Sequence, residues 1–316
     1  MATAEGRWRL GTPWHRTVGE GLSVRVLVTG AGGQLAHDLL AACRDDEVVA
    51  LTRADLDIAD EAAVVATVRQ VAPEVVINTA AWTDVDGCES DPDRAHAVNA
   101  LGPWWLARAC RDVDARLVHV STDYVFDGEA PRDGTGAPRP WIETDPVAPR
   151  SVYGASKLAG ERLVAQTLAE HVIVRTAWLA GGGGGNNFVR TMLRVAREGG
   201  ALQVVDDQIG SPTFTADLAP ALRHLAVARR SGTYHVVNAG QASWFDLASA
   251  TFELAGLEVD LAAQPSTALD RPAPRPAWSV LDTRHARLSG VPALPQWRDG
   301  LARLLAELAD AGRAEG

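Results

Sequence analysis

A phenol and an ammonium four residues apart, Tyr153 and Lys157, are the pair in this sequence best suited to proton chemistry. On a helix, positions four apart share a face, so both groups can reach one ligand. A free tyrosine titrates near pH ~10, and a neighbouring cation stabilises the phenolate, moving the group toward the range useful for acid–base catalysis. Such spacing is common by chance; the order of segments singles it out. Upstream, directly after the apolar run Val24–Thr29, stands Gly30-Ala31-Gly32-Gly33-Gln34-Leu35-Ala36. A glycine-rich turn between a buried strand and a helix lets backbone approach a phosphate, whose charge the helix N-terminus stabilises. The glycines alone could be a structural turn, but the first strand–helix junction favours a dinucleotide site.

Other polar groups fall at strand ends. Asn78-Thr79-Ala80-Ala81-Trp82-Thr83 closes a strand with small residues, which serve either as packing or as a floor beneath a cofactor's ribose and nicotinamide. Ser121-Thr122-Asp123-Tyr124 closes the next. Its hydroxyls could merely cap the following loop. A hydroxyl there could also hydrogen-bond a substrate carbonyl, with Thr122 the first choice and Ser121 the second. Trp178 ends a later strand and is either a packing anchor or a surface for a sugar. Asn186-Asn187-Phe188 and Gln208–Thr213 offer amides and apolar walls for a base or sugar, with ordinary loop structure as the alternative.

Positioning these groups takes an alternating scaffold. Strands are expected at Val24–Thr29, Val48–Leu51, Val75–Asn78, Leu117–Ser121 and Val172–Arg175. Helices are expected at Leu35–Cys43, Glu61–Val71, Ala95–Cys110 and Tyr153–Leu168. Alternation over this length implies an α/β fold, a doubly wound parallel (Rossmann) sheet with right-handed crossovers. After Trp178 the character changes: a flexible glycine run at Gly181–Gly185, a helix at Phe188–Arg197, a loop at Asp206–Thr213, a proline-rich stretch at Pro265–Pro276 and an amphipathic helix at Arg298–Leu308. The expected organisation is a tail over residues 1–22, a dinucleotide-binding domain over 23–180, and a smaller, mainly substrate-binding lobe over 181–316. A strand at Gly232–Asn238 is expected to return to the main sheet. The tail, rich in Gly, Arg, Thr and Trp, buries too little apolar surface to offset ordering, so the natural start is expected near Val24.

Composition narrows the function classes. The 316 residues suffice for one large or two modest domains, and the 47% hydrophobic content is ordinary for a globular protein. A net charge of −10 argues against nucleic acid, which needs clustered Lys and Arg. Cys43, Cys88 and Cys110 are odd in number and lack metal-type spacing, so reduced buried thiols are expected and no metal is assigned. No apolar run approaches the roughly 20 residues of a membrane span. Without a signal-peptide core, the cytoplasm is the expected compartment.

Taken in order, the segments resemble the extended short-chain dehydrogenase/reductase superfamily and, within it, the dTDP-4-dehydrorhamnose reductase family. The resemblance covers Val24 to Leu308. It rests on Ser121–Gly128, Val152-Tyr153-Gly154-x-x-Lys157-x-x-Gly160-Glu161, Arg175-Thr176-x-Trp178, Asn186-Asn187-Phe188, Asp207-Gln208-x-Gly210-x-Pro212-Thr213 and Arg275-Pro276-x-x-Ser279-x-Leu281-Asp282-Thr283. It implies NADPH-dependent reduction (NADH also possible) of the C4 ketone of dTDP-4-dehydro-β-L-rhamnose, by a monomer or homodimer. Thr122, Tyr153 and Lys157 would be catalytic, with Lys157 lowering the pKa of Tyr153 and binding the nicotinamide ribose. Cofactor contacts would fall on Gly30, Gly33, Gln34, Leu35, Asp57, Ile58, Ala81 and Thr83, with Ala80 and Asn99 added, besides Tyr153 and Lys157. Substrate contacts would fall on Ser121, Thr122, Asp123, Tyr124 and Trp178, with Asn187 and Gln208 added.

Two departures stand out. Ala36 replaces the usual third glycine. After the second strand, where an acidic residue would hold an NAD ribose, the sequence has Thr52-Arg53, and Arg53 suits a 2′-phosphate unless it points into solvent. Some family members form a magnesium-bridged dimer; no match for it is assigned here. The rivals are a 4-ketoreductase for another dTDP-deoxysugar and, from another class, a non-catalytic regulatory subunit of the same fold.

Overall fold

A computed structural model describes residues 23–228 and 230–314, so the expected tail over Met1–Leu22 lies outside the described residues. The strands are β1 (Arg25–Thr29), β2 (Glu47–Leu51), β3 (Val75–Asn78), β4 (Arg116–Thr122), β5 (His171–Thr176), β6 (Leu179–Ala180) and β7 (Leu202–Val205). They continue as β8 (Ile209–Gly210), β9 (Thr213–Phe214), β10 (Gly232–His235), β11 (Ala242–Ser243), β12 (Leu261–Gln264) and β13 (Trp278–Ser279). The helices are α1 (Gln34–Ala42), α2 (Glu61–Val71), α3 (Val85–Ser90), α4 (Pro92–His96), α5 (Gly102–Asp112) and α6 (Val152–Thr167). After them come α7 (Phe188–Glu198), α8 (Thr215–Val227), α9 (Trp244–Ala255), α10 (Arg284–Leu288) and α11 (Trp297–Ala314).

Six strands form one parallel sheet in the order β10-β5-β4-β3-β1-β2. Continuous apolar runs such as Val75-Val76-Ile77 are what a strand covered on both faces requires, and all three residues are buried. On one face α2, α5 and α6 contribute Val64, Val68, Leu106, Cys110 and Val164 to a shared core. On the other, α1 and α8 meet over Leu35, Leu39, Leu218, Leu222 and Leu225. From β1 the chain goes outward to β2 and then returns to β3 on the opposite side of β1. That reversal opens a crevice at the strands' carboxyl ends, the place where such sheets bind ligands.

Three features differ from the expectation. Ala95–Cys110 is not one regular helix: α4 passes into a turn of π-helix at Ala97–Leu101 before α5 begins. Pro103, which has no amide hydrogen to donate, sits in the first turn of α5 and obliges the ladder to change there. Second, α8 packs against the main sheet although it follows the glycine run, so more than β10 returns to the sheet. It carries Pro220 in its interior and has no side-chain N-cap, so its sequence lacks the usual start signal. Third, the expected loop at Asp206–Thr213 contains β8, which pairs with both β11 and β13. A separate apolar cluster joins α7, α9 and α11 through Val189, Leu193, Leu247, Ala250, Leu301 and Leu304.

The centre of the sheet is pinned by charge. Glu161 of α6 and Arg175 of β5 form a buried ion pair at 2.7 Å, and Ser121 Oγ donates to the same carboxylate at 2.5 Å. Removing one member of a buried pair strands its partner's charge in a low-dielectric interior. Glu161→Ala is therefore expected to lower unfolding free energy by about 3–5 kcal/mol, measured by urea denaturation. A loss under about 1 kcal/mol would mean that Arg175 finds other compensation.

Candidate active site

The glycine turn is shaped for close approach. Gly30 has φ +76°, and a Cβ on it would lie 2.6 Å from the Ala80 nitrogen, so only glycine fits between the ends of β1 and β3. Those ends are cross-linked, with Thr29 Oγ1 donating to Asn78 Oδ1 at 2.7 Å and Thr79 Oγ1 to the Thr29 carbonyl at 2.7 Å. Asn78 also reaches His119 Nδ1 on β4 at 3.0 Å, tying three strands together. Burial holds the His119 ring neutral. No side chain caps α1 and its first turn carries no acidic residue, whereas α2 is capped by Asp60. An uncapped, positive helix end beside a glycine turn fits a dinucleotide pyrophosphate.

The proton-handling groups gather at the carboxyl ends of β4 and the start of α6. Ser151 caps α6 through the Gly154 nitrogen at 3.1 Å, so the helix begins on the turn that carries Tyr153. Gly154 faces the Tyr124 carbonyl with no room for a Cβ. Tyr124 and Tyr153 meet edge to face at 5.4 Å. Thr122 Oγ1 donates to Asp123 Oδ1 at 3.0 Å and accepts from the Tyr124 nitrogen at 3.3 Å. Burial pushes the Asp123 carboxyl up to about 6, with hydrogen bonds opposing it.

Lys157 is 2% exposed, and its Nζ donates to the Val120 carbonyl at 2.7 Å. Burial pulls its pKa down to about 8, against the opposing pull of Glu161. The expected lowering of the Tyr153 pKa is not what this arrangement produces. Burial raises it, contact with the Thr122 hydroxyl opposes, and Lys157 is turned toward β4. The phenol thus keeps its proton at neutral pH, the form needed in a group that donates one.

Several other candidates are placed differently from expectation. Ser121 gives its one hydroxyl hydrogen to Glu161 and so does not donate into the crevice. Asn99 accepts from the Trp82 nitrogen at 2.8 Å and donates to the Trp82 carbonyl and to Ser156 Oγ, so its amide braces the loop after β3. The Gln34 carboxamide is likewise committed, to Gly181, Asn186 and Asn187, leaving only its backbone at the turn. Leu35 and Ile58 are buried, so either would meet a ligand through backbone. Asn187 caps α7 through the Arg190 nitrogen at 2.9 Å. Arg53 is exposed and pairs with Asp57 at 3.4 Å, while Asp55 bonds Thr52. Gly33, Ala80, Ala81 and Thr83 line the crevice edge after β1 and β3.

Trp178 has φ +48°, strained for a bulky residue, and stacks on Trp244 at 3.6 Å with a 7° interplanar angle. Gln208 Oε1 accepts from Trp244 Nε1 at 3.2 Å. Trp244 thus unites two candidate substrate residues, yet nothing in its local sequence marks it beyond a helix start at Ser243-x-x-Asp246. Asp86 of α3 holds Arg275 at 2.8 Å and Arg271 at 3.3 Å, clasping the proline-rich stretch to the loop side of β3. That pairing spans 189 residues and leaves no local signal.

A cleft of about 210 Å³ opens beside Tyr124, Arg150 and Arg275. A larger cavity, about 400 Å³, lies among Val237–Gln241 and Val280–Thr283 and holds none of the catalytic candidates. Although no metal was expected, His37, Asp38 and Glu307 bring ligand atoms within 4.8 Å of one another at the surface. Among the described residues, no helix is long and apolar enough to cross a membrane.

A parallel sheet with a glycine turn at its switch point, and a Tyr-x-x-x-Lys helix beside it, defines a Rossmann-type reductase fold. The match is narrower than that: the RmlD substrate binding domain model fits residues 24–310, and the chain belongs to that family. It is 49% identical over 290 residues to the dTDP-4-dehydrorhamnose reductase of Mycobacterium tuberculosis, covering 90% of this chain and 94% of that protein. It is 42% identical to a probable dTDP-4,6-dihydroxy-2-methyloxan-3-one 4-ketoreductase of Streptomyces antibioticus, over 88% of this chain and 93% of that one. Among solved structures, a dTDP-4-dehydrorhamnose reductase from Bacillus anthracis in complex with NADP superposes with TM-score 0.85 at 38% identity, over 90% of this chain and all of that one.

Burial of Lys157 has a consequence for stability. Its folded pKa of about 8 lies below the ordinary 10.5, so between these values the unfolded chain binds the extra proton and stability rises with pH. Below pH 8 the charged group is buried at full cost. Relative to Lys157→Met, the wild type is expected to gain about 1.4 kcal/mol per pH unit across that window, measured by denaturation at several pH values. A flat difference would show that the ammonium is hydrated in the native state.

Proposed function

We propose that this chain is an NADPH-dependent reductase that converts the C4 ketone of dTDP-4-dehydro-β-L-rhamnose to the alcohol of dTDP-L-rhamnose. The observation that carries the reading is the convergence of Thr122, Tyr153 and Lys157 on the sheet edge that holds the glycine turn, in a chain 49% identical to a reductase so named. The glycine turn and the N-terminus of α1 would hold NADPH, which would supply the hydride taken up at C4. The Tyr153 phenol gives its proton to the carbonyl oxygen, completing the alcohol. Thr122 hydrogen-bonds that oxygen and fixes its direction. Lys157, one turn along the same helix, keeps two ammonium hydrogens beyond the one given to Val120 and would offer them to the nicotinamide ribose. Trp178, backed by Trp244, takes the sugar face, and the elements after Trp178 hold the deoxythymidine diphosphate, with Arg275 as a cation for it. Binding energy far from C4 thereby positions the ketone.

A specific observation supports a second reading. The 42% identity to the Streptomyces antibioticus 4-ketoreductase is near enough that a different dTDP-4-keto-deoxysugar is the alternative substrate. Turnover with the dTDP-4-keto-6-deoxyglucose epimerase mixture, followed by NMR of the sugar formed, separates the two: rhamnose supports the first, and no product from that mixture supports the second. Three free, buried thiols suit a reducing compartment, and the cytoplasm is the compartment proposed.

Removing the proton donor isolates its contribution. Tyr153→Phe is expected to cut turnover at least about a hundredfold with little change in NADPH affinity, read by stopped-flow and fluorescence titration. Near-wild-type turnover would take Tyr153 out of the mechanism.

Cofactor choice rests on Arg53. Its exposed guanidinium, paired only loosely with Asp57, is free to exchange that carboxylate for a 2′-phosphate. NADPH is expected to be favoured over NADH by at least about tenfold in kcat/KM, roughly 1.4 kcal/mol, with Arg53→Ala erasing most of the preference and sparing NADH turnover. An unchanged ratio in the variant would place the phosphate elsewhere.

A further inference from the structure

The residue that opens α1 faces two ways. The Gln34 backbone lies at the glycine turn, while its side chain reaches across the molecule. Gln34 Oε1 accepts from the Gly181 nitrogen at 2.9 Å and from Asn187 Nδ2 at 2.7 Å, and Nε2 donates to the Asn186 carbonyl at 3.1 Å. Asn187 Nδ2 also donates to the Gly181 carbonyl at 3.0 Å, so one amide pair closes the mouth of the loop onto α1.

What that loop connects gives the contact its meaning. Trp178, just before the loop, stacks on Trp244 at 3.6 Å. Phe188, just after it, packs on the same indole at 4.6 Å. Between them the glycine run lies on the cofactor turn: a Cβ on Gly183 would come 3.2 Å from the Gln34 carbonyl, and one on Gly184 would come 3.7 Å from the Gly32 carbonyl. Five successive glycines have few preferred conformations of their own, so the path of this loop must be imposed by its contacts. Gln34 provides three of them.

We propose that Gln34 is a positioning residue that couples the two ligand sites: cofactor bound at the turn fixes α1, the Gln34–Asn187 contact fixes the 181–187 loop, and the loop sets Trp178 for the sugar nucleotide. This rests on the functional reading above. By linkage the coupling is reciprocal, so each ligand tightens the other by the same factor. The loop pays part of its ordering entropy when the first ligand binds, and the second meets it already arranged.

Isothermal titration of dTDP with and without saturating NADP+, and of NADP+ with and without dTDP, tests this. In the wild type each ligand is expected to lower the other's Kd at least about fivefold. Gln34→Ala is expected to reduce that factor below about twofold. Asn187→Asp keeps the side-chain oxygen that caps α7 but replaces the Nδ2 donor to Gln34 Oε1 and the Gly181 carbonyl with a second acceptor, so it is expected to uncouple the sites without altering the cofactor turn. The double variant should be no less coupled than either single one. Circular dichroism melts confirm that each variant is folded, and Asn187→Asp carries the test if Gln34→Ala does not fold. Coupling that survives Asn187→Asp, or is absent from a wild type that binds both ligands, overturns the inference alone. A wild type that binds neither NADP+ nor dTDP overturns the functional reading and the inference with it.

Discussion

An ammonium removed from water must find acceptors and countercharge, and in this molecule that demand falls on Lys157. The Val120 carbonyl takes one of its hydrogens, which obliges α6 to lie hard against β4. The helix also presents glycine where it crosses the backbone of the turn after β4 and of the π-turn. Gly154 sits on the Tyr124 carbonyl and Gly160 on that of Asn99. The negative charge opposing the ammonium is Glu161, one turn further along the helix, and Glu161 is in turn held by Arg175 and Ser121. One helix face thus carries the phenol, the ammonium and the carboxylate, and its docking sets all three at once.

The same docking gives Asn99 its bracing contacts. The π-turn at Ala97–Leu101 turns the Asn99 side chain toward Trp82 and Ser156, linking the loop after β3 to α6. The Asn78 contacts to Thr29 and His119 hold the ends of β1, β3 and β4 in one frame. Each of these amides is buried, so each must be satisfied within the protein, and a satisfied buried network rigidifies the edge on which a ligand would lie. Thr122, Tyr153 and Lys157 are therefore set by a strand and a helix, while the aromatic stack joins Trp178, in the turn after β5, to the first residues of α7 and α9.

Much of the scaffold is legible in the sequence alone. Val26–Val28 and Val75–Ile77 are apolar on both faces, and only a covered parallel strand explains that in a chain alternating with amphipathic segments. Glu61–Val71 and Phe188 onward carried clear helical periodicity. Where the signals failed, the cause is identifiable. Pro220 inside α8 and the missing cap before it hid a helix that packs on the sheet. Pro103 turned one expected helix into three consecutive pieces, because a missing amide hydrogen changes the ladder without changing the apolar spacing.

The sequence by itself determined the strand–helix alternation, the glycine turn at Gly30, and the spacing that puts Tyr153 and Lys157 on one helix face. Those follow from backbone sterics and from neighbours within about four residues. Only the tertiary structure decided what the polar side chains do. Gln34 meets its partners 152 and 153 residues away, and Asp86 meets Arg275 across 189. It also turned the Lys157 ammonium toward Val120, so that burial, not the neighbouring cation, governs the Tyr153 proton. A side chain's chemistry is local, but its partner and its dielectric surroundings are set by segments that meet only when the chain is folded.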